Sequence, residues 1–329
     1  MTIKELIKAD LNTRVSANYI VSDISLRPFA KKEGNFLSFK LADKTGKIDA
    51  NIWQNTEHFY NLIKNDIVVT ITGSIKAFDG KNQISVETMV PCDIYDSSEL
   101  VACSVYDPEV LFKQLINILQ VEITDEYLKI IVDIYLKNPK FVENFKRCPG
   151  GKGGVHHAYI GGLLEHTLAV LKTCLSISNN YQFENIDREI LAVGAFLHDI
   201  GKLEAYEYSP LIKMTDRGRL LGHLPLGYEK FCRDVDAETE LYMKYKKEDF
   251  RIEMGKVKTL IGHMILSHHG SYEFETCRLP QTLEALILSK VDDLDATIIR
   301  VAQVIDEIPK DWSAWDNLSK RMYFKSNVD

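Results

Sequence analysis

None of the six cysteines, at 92, 103, 148, 174, 232 and 277, forms a CxxC pair with another. That spacing excludes a cysteine-built zinc site and suits reduced, inert thiols. No apolar run approaches the roughly 18 residues needed to cross a bilayer. The opening Met1-Thr2-Ile3-Lys4-Glu5-Leu6 lacks the apolar stretch of a secretion signal. A cytoplasmic protein with no membrane partner is therefore expected. The glycine cluster Pro149-Gly150-Gly151-Lys152-Gly153-Gly154 lacks the GxxxxGK[ST] spacing of a nucleotide-binding P-loop and reads as a mobile loop or hinge. An excess of basic charge is missing too: the net charge of −7 argues against broad, nonspecific binding to nucleic acid. There is no internal repeat and no low-complexity tract.

What remains is an ordinary globular composition, 45% hydrophobic and 26% charged, over 329 residues. That length is too great for one core, so two domains are expected. The charge is uneven. Residues 1–95 carry 12 Lys and Arg against 11 Asp and Glu, a net of +1, and the remaining −8 follows. An acidic second half fits a site that holds divalent cations, and it fits a solvated surface equally well.

Residues 12–95 read as strands. Leu37, Phe39 and Leu41 alternate along one face, Asp43-Lys44-Thr45-Gly46 is a turn, and Ile48, Ala50 and Ile52 resume the period of two. Two more alternating runs lie between Asp66 and Glu87, joined at the hairpin signal Asp79-Gly80. Several short strands in about 80 residues point to a small barrel. The run from Phe36 to Trp53 resembles the strand–turn–strand core of OB-folds in nucleic-acid-binding proteins. Such barrels hold single strands through basic grooves and aromatic rings on which bases stack. The candidates are Trp53, Phe78, Lys40, Lys47 and Lys76. Each aromatic can equally be a barrel-end core residue.

Periodicity changes after residue 95. Helices are expected over 109–120 and 123–136, with Asn138-Pro139 closing the second. From His156 onward the chain reads as helical, with apolar periods over Leu163–Leu175, Ile190–Leu197, Val257–Leu266 and Leu283–Leu294 and no convincing strand. The division expected is an all-β barrel domain at 1–95, a helical linker and hinge at 96–155, and an all-α domain at 156–329.

Eight of the nine histidines lie between 156 and 269; His58 is the exception and reads as a surface residue. His166, the pair His198-Asp199, His223, the pair His268-His269 and Asp292-Asp293 each lie on an apolar helical stretch or at its end. Burial of such groups is costly unless something pairs them, and a shared metal ion would. A lone buried histidine is more often a satisfied core residue; seven such groups in order reverse that weighting. His156 and His157 divide evenly between substrate contact and loop structure, and Glu204 and Tyr228 have no role assigned.

The ordered series His…His-Asp…His…His-His…Asp resembles the HD superfamily of metal-dependent phosphohydrolases, an all-helical fold. With the OB-like region, and with the runs HHAYIGGLLEHT, AFLHDIGKLEAY and GRLLGH, the chain is similar over nearly its whole length to the YhaM family of 3′–5′ exoribonucleases. The resemblance implies a first metal on His166, His198, Asp199 and Asp292. It implies that Asp199 bridges to a second, held also by His223 and by His268, His269 or both. Lys202, one turn past the HD pair, would contact a phosphate oxygen. Of the two loop histidines, His157 is the candidate for contact with nucleic acid. Mixed nitrogen and carboxylate ligands suit Mn²⁺, or Fe²⁺, better than Mg²⁺, and the resemblance also points to Mn²⁺. No serine or cysteine nucleophile is read in the His/Asp motifs, so a metal-activated water is expected to attack.

The function expected is release of nucleoside 5′-monophosphates from the 3′ end of single-stranded RNA, with single-stranded DNA as a further substrate and a homo-oligomer left open. The alternatives are an HD-type nucleotide or cyclic-dinucleotide phosphohydrolase, which would need no OB domain, and a nonenzymatic DNA-binding replication accessory factor with structural metals.

Overall fold

A computed structural model describes the chain apart from residues 30–32, 152–156, 182–184, 209–210, 244–247, 307–310, 318 and 327–329. Two compact units result: Met1–Cys103 with Tyr208–Leu211, and Ser104–Glu207 with Ile212–Asp329.

The first unit is a closed five-stranded barrel. A short helix α1 (Ile3–Leu6) precedes β1 (Arg14–Pro28), β2 (Asn35–Asp43) and β3 (Gly46–Ile52). Then come α2 (Thr56–Leu62), β4 (Val68–Phe78), β5 (Lys81–Pro91) and α3 (Ser97–Leu100). The barrel order is β1-β2-β3-β5-β4. β1 is long enough to serve both neighbours. Its first half pairs with β4 and its second with β2, with a register shift between Ser22 and Ser25. The expected alternation holds: Leu37, Phe39, Leu41, Ile48, Ala50 and Ile52 are all buried in the barrel core. At the tip of the β4–β5 hairpin Asp79 and Gly80 both have positive φ (52° and 75°), the signature of a two-residue turn that follows strand twist. Closure rests on a short parallel β3–β5 pairing, Ala50 with Ile84 and Asn51 with Ser85.

The second unit is built from α4 (Pro108–Glu122), α5 (Glu126–Leu136), α6 (Pro139–Arg147), α7 (Gly162–Asn180), α8 (Arg188–Leu197) and α9 (Lys202–Ala205). It continues with α10 (Asp216–Leu221), α11 (His223–Tyr242), α12 (Glu248–Ser267) and α13 (Leu283–Asp306). Helix α8 is its centre. All eight residues from Ile190 to Leu197 are buried, and α4, α5, α7, α12 and α13 pack around it. An apolar helix with no polar face has to be enclosed in this way.

Three sequence expectations change. Residues 96–155 were drawn as a linker, yet α4, α5 and α6 bury Phe112, Leu115, Leu119, Leu128, Ile131, Tyr135, Phe141 and Phe145 within the helical unit. Their apolar stripes need a partner, and α7 and α8 supply it. Asn138-Pro139 ends one helix and also begins another: Asn138 caps α6, its side chain accepting from the Phe141 amide at 3.1 Å, and Pro139 fills the first turn. Two short strands, β6 (Tyr206–Tyr208) and β7 (Ile212–Met214), also pair where no strand was expected. The glycine cluster lies partly outside the described residues, at 152–154, as does His156. Its described members Gly150 and Gly151 are buried.

Candidate metal centre

The histidines and aspartates singled out by sequence converge on Asp199. His166 lies in the first third of α7, His198 caps the C-terminus of α8 with Asp199 directly after it, His223 opens α11, His268 and His269 follow α12, and Asp292 is on α13. One glycine makes the approach of α11 possible. A Cβ at Gly201 would fall 1.9 Å from the His223 carbonyl oxygen and 2.5 Å from the Gly227 amide nitrogen, which no side chain could tolerate. Gly201 therefore lets the segment after the HD pair lie against the start of α11 and brings His223 beside Asp199.

Around Asp199, Oδ2 lies 3.4 Å from both His166 Nε2 and His198 Nε2. Oδ1 lies 3.3 Å from His223 Nε2 and 3.5 Å from His268 Nε2. Asp292 Oδ1 is 3.1 Å from His166 Nε2 and 3.7 Å from His198 Nε2. The carboxylate thus faces one histidine pair with each oxygen, and it is 2% exposed. His269 is the outermost member: its ring is 4.9 Å from that of His223 and 4.6 Å from that of His268.

The tautomers follow from the hydrogen bonds. His198 donates its Nδ1–H to the Ala195 carbonyl (2.8 Å), His268 to Ile265 (2.9 Å) and His269 to Phe274 (2.5 Å). His166 donates its Nδ1–H to Asp295 Oδ2 at 2.7 Å. Each Nε2 is left as the inward atom, the arrangement in which an imidazole binds a metal. The Nε2 atoms of His166 and His198 are only 3.1 Å apart. Two lone pairs at that distance repel unless a cation or a proton sits with them; two nitrogens bonded at about 2.1 Å to one ion, at right angles, are about 3.0 Å apart. Among the described residues the buried Nε2 atoms of His223 and His268 and Oδ1 of Asp199 find no hydrogen-bond partner, while Asp199 Oδ2 faces the Lys202 ammonium. Buried polar atoms are nearly always satisfied, so this donor set fits divalent cations. The C-terminal ends of α8 and α12 also point negative charge at the site.

The charges agree with that reading. Burial works against a charged His166, yet Asp199, Asp292 and Asp295 outweigh it and hold the imidazole well above its ordinary range. Burial pushes His268 down to about 4 and, with nearby Lys202 and the two neighbouring histidines, holds His223 well below its usual value. Burial disfavours the charged forms of Asp199 and Asp292, but Lys202 and the histidines for the first, and His166 for the second, keep both below the usual carboxylate range. Lys202 is 6% exposed, with Nζ 2.5 Å from Asp199 Oδ2. Burial disfavours its charge and the Asp199 carboxylate more than restores it. The lysine expected at phosphate is paired to the central carboxylate here.

Two expectations need correction. His157, expected on nucleic acid, is 1% exposed, with Nε2 donating to Asp295 Oδ2 at 3.0 Å and Nδ1 2.8 Å from the Tyr159 hydroxyl. Both ring nitrogens are engaged inside the unit, so it cannot reach a strand. Ser267 directly precedes His268, so a serine does stand in that motif, but it is fully buried. Asp295 is the site residue missed by sequence reading. Its signal was present: three residues after Asp292 on one helix, it shares the same face.

On the barrel, the register sets Phe36 and Lys40 of β2 opposite Trp53, just after β3, and Asp49 of β3, with Lys47 on the same outward face. Phe36 and Trp53 stack at 4.9 Å with 24° between planes, and Phe29 lies 6.2 Å from Trp53. Trp53 remains 41% exposed. Lys40 is 3.8 Å from Asp49. Phe78 is 69% exposed near the tip of the β4–β5 hairpin, and Lys76 on that hairpin donates to Asn12 at 2.6 Å.

Residues 163–297 match the HD domain, and residues 20–91 match the OB-fold nucleic acid binding domain. An HD domain depends on divalent metal, in accord with the donor set, and an OB-fold of this class binds single-stranded nucleic acid. Along its length the chain is similar to the 3′–5′ exoribonuclease YhaM of Oceanobacillus iheyensis, 26% identical over 302 residues covering 89% of this chain and 88% of the relative. It is also similar to those of Bacillus velezensis (26% identical, 88% and 87% covered) and Bacillus subtilis (25% identical, 88% and 87% covered). An OB-fold and an HD domain thus stand in one chain, and it is similar over nearly the full extent of both to the YhaM 3′–5′ exoribonucleases.

Proposed function

We propose that the protein is a metal-dependent 3′–5′ exoribonuclease that releases nucleoside 5′-monophosphates from single-stranded RNA. In this reading it uses Mn²⁺, works in the cytoplasm and also accepts single-stranded DNA. The observation that carries the proposal is the convergence of four Nε2 atoms on the two oxygens of one buried aspartate, in a chain that also holds a nucleic-acid-binding barrel. The relatives that match it over nearly nine-tenths of both lengths are named exoribonucleases. A small-nucleotide phosphohydrolase would have no use for the barrel.

His166, His198, Asp199 and Asp292 would hold one divalent cation, and Asp199 with His223, His268 and His269 a second. When bound, such a pair activates a water and stabilises the attacking and leaving oxygens of an in-line displacement. The chain itself fixes each imidazole through its Nδ1–H and keeps the lone pairs inward. Lys202 offsets the carboxylate charge that a phosphodiester would otherwise meet. Among the described residues no side chain is placed as a nucleophile: Ser267 is enclosed, and burial raises the thiols of Cys148 and Cys174 far above the range in which a thiolate forms.

The test is digestion of 5′-labelled single-stranded RNA with Mn²⁺. A ladder of progressively shorter labelled products is expected, with no cleavage in EDTA. A burst of labelled mononucleotide would mean attack from the 5′ end. Cuts in a circular RNA would mean an endonuclease, and cleavage of dinucleotides alone would favour the small-nucleotide reading.

A further inference from the structure

His198 and His268 sit at or just beyond helix C-termini, where carbonyl oxygens lack intrahelical partners, and each uses the carbonyl three residues back to fix its Nδ1–H. His166 cannot do this. It lies inside α7, where the nearby carbonyls serve the helix itself. Its acceptor has to come from another element, and Asp295 Oδ2, one turn along α13 from Asp292, is that acceptor at 2.7 Å.

The same oxygen accepts from His157 Nε2 at 3.0 Å. His157 holds an unusual backbone, φ +53°, in a region uncommon for residues other than glycine and entered at a cost. Its surroundings are shaped for it. Its carbonyl accepts from the Gly150 amide at 2.9 Å. A Cβ at Gly162 would lie 2.1 Å from that carbonyl oxygen, and one at Gly150 would lie 2.6 Å from the His157 Cβ. Two glycines thus leave room for a buried histidine in a strained conformation, and its imidazole reaches a carboxylate that touches a metal ligand.

The geometry points to Asp295 and His157 as positioning residues for His166: Asp295 holds the imidazole with its Nε2 toward Asp199 and Asp292, and His157 holds Asp295. The inference rests on the reading of His166 as a ligand. It assigns no contact with substrate to either residue. It also explains why Asp295, His157 and His166 cluster closely without needing an ion of their own, since one carboxylate oxygen accepts from both rings.

The test is metal binding by the full-length, metal-stripped protein, titrated with Mn²⁺ by calorimetry and with Co²⁺ by visible absorption. The variants are Asp295→Ala, Asp295→Asn, His157→Asn and, as reference, His166→Ala. Asparagine is chosen at 157 because it tolerates a left-handed backbone while falling short of Asp295. Asp295→Ala should weaken binding by about 10–100-fold and alter the Co²⁺ bands. Asp295→Asn and His157→Asn should move both readouts the same way by less, with unfolding midpoints in EDTA close to that of the unaltered protein. Should Asp295→Ala fail to fold, the two asparagine variants decide. Unchanged affinity and spectrum in both, while His166→Ala binds weakly, would overturn the positioning role. Unchanged binding by His166→Ala would instead overturn the ligand reading beneath it.

Discussion

Asp199→Asn is the sharpest perturbation available, because it keeps the shape of the side chain and removes only its charge. In metal-free protein Asp199 is the ion-pair partner of Lys202, with Nζ 2.5 Å from Oδ2 and both groups almost wholly buried. Removing one member of a buried pair leaves the other uncompensated, at a cost of about 3–5 kcal/mol. For a unit of this size each kcal/mol moves the midpoint by about 2–4 °C, so a fall of roughly 6–20 °C is expected in EDTA. Metal adds a second contrast. A cation at 100 times its Kd stabilises the folded state by about 2.7 kcal/mol, and Asp199→Asn should lose most of that gain because both donor groups share this carboxylate. Lys202→Met should behave oppositely. It takes from Asp199 its nearest cation in EDTA, lowering the midpoint, and a bound metal ion then takes over the carboxylate, so its metal-induced rise should exceed that of the unaltered protein. Thermal unfolding followed by circular dichroism, with EDTA and with excess Mn²⁺, measures all three. If Asp199→Asn melts where the unaltered protein does in EDTA and keeps the full metal-induced rise, Asp199 is neither the partner of Lys202 nor a ligand.

Metal affinity should rise with pH. His166 is held well above its ordinary range and so is protonated in neutral, metal-free protein, whereas a ligand needs a bare Nε2; binding therefore releases a proton, and affinity grows about tenfold per pH unit until the pKa of His166 is passed. His268, at about 4, adds no proton near neutrality, and calorimetry in buffers of different ionisation enthalpy will count the release; an affinity flat from pH 6 to 8 would refute the sign. On the barrel, Trp53→Ala should weaken binding of labelled single-stranded RNA in EDTA by about 1–3 kcal/mol, roughly 5–150-fold. Fluorescence anisotropy reads it, and unchanged affinity would remove the Phe36–Trp53 face from the binding surface.

The barrel was legible because one face of each strand is buried, so Leu37, Phe39 and Leu41 could not change register without exposing a core. The Asp79-Gly80 turn was legible because few residues accept its backbone. The donor residues were legible as a residue type: histidine is scarce, and its order along the chain carried the pattern. Asp295 and the buried place of His157 were not. Which group fixes an Nδ1–H depends on whether the histidine sits inside a helix or at its end, and α7 and α8 differ in that respect by geometry alone. Two helices of 96–155, α4 and α5, were recognised and α6 was not, and the membership of all three in the helical unit depends on partners more than ten residues away in sequence. The double role of Asn138-Pro139 escaped because one dipeptide signals both an end and a beginning.

The donors of the proposed metal centre are strung from His166 on α7 to Asp292 on α13, and this order has a consequence during synthesis. The barrel leaves the ribosome ahead of the helical unit and can fold while that unit is still being made. A chain extended only as far as the His268-His269 pair just past α12 already owns six of the seven donors, yet it lacks Asp292 and the aspartate that steadies His166. A growing or prematurely ended chain can thus hold a strand without cutting it, and in the proposed nuclease the power to degrade RNA arrives only with the last long helix, after the message that encodes it has been read through that helix.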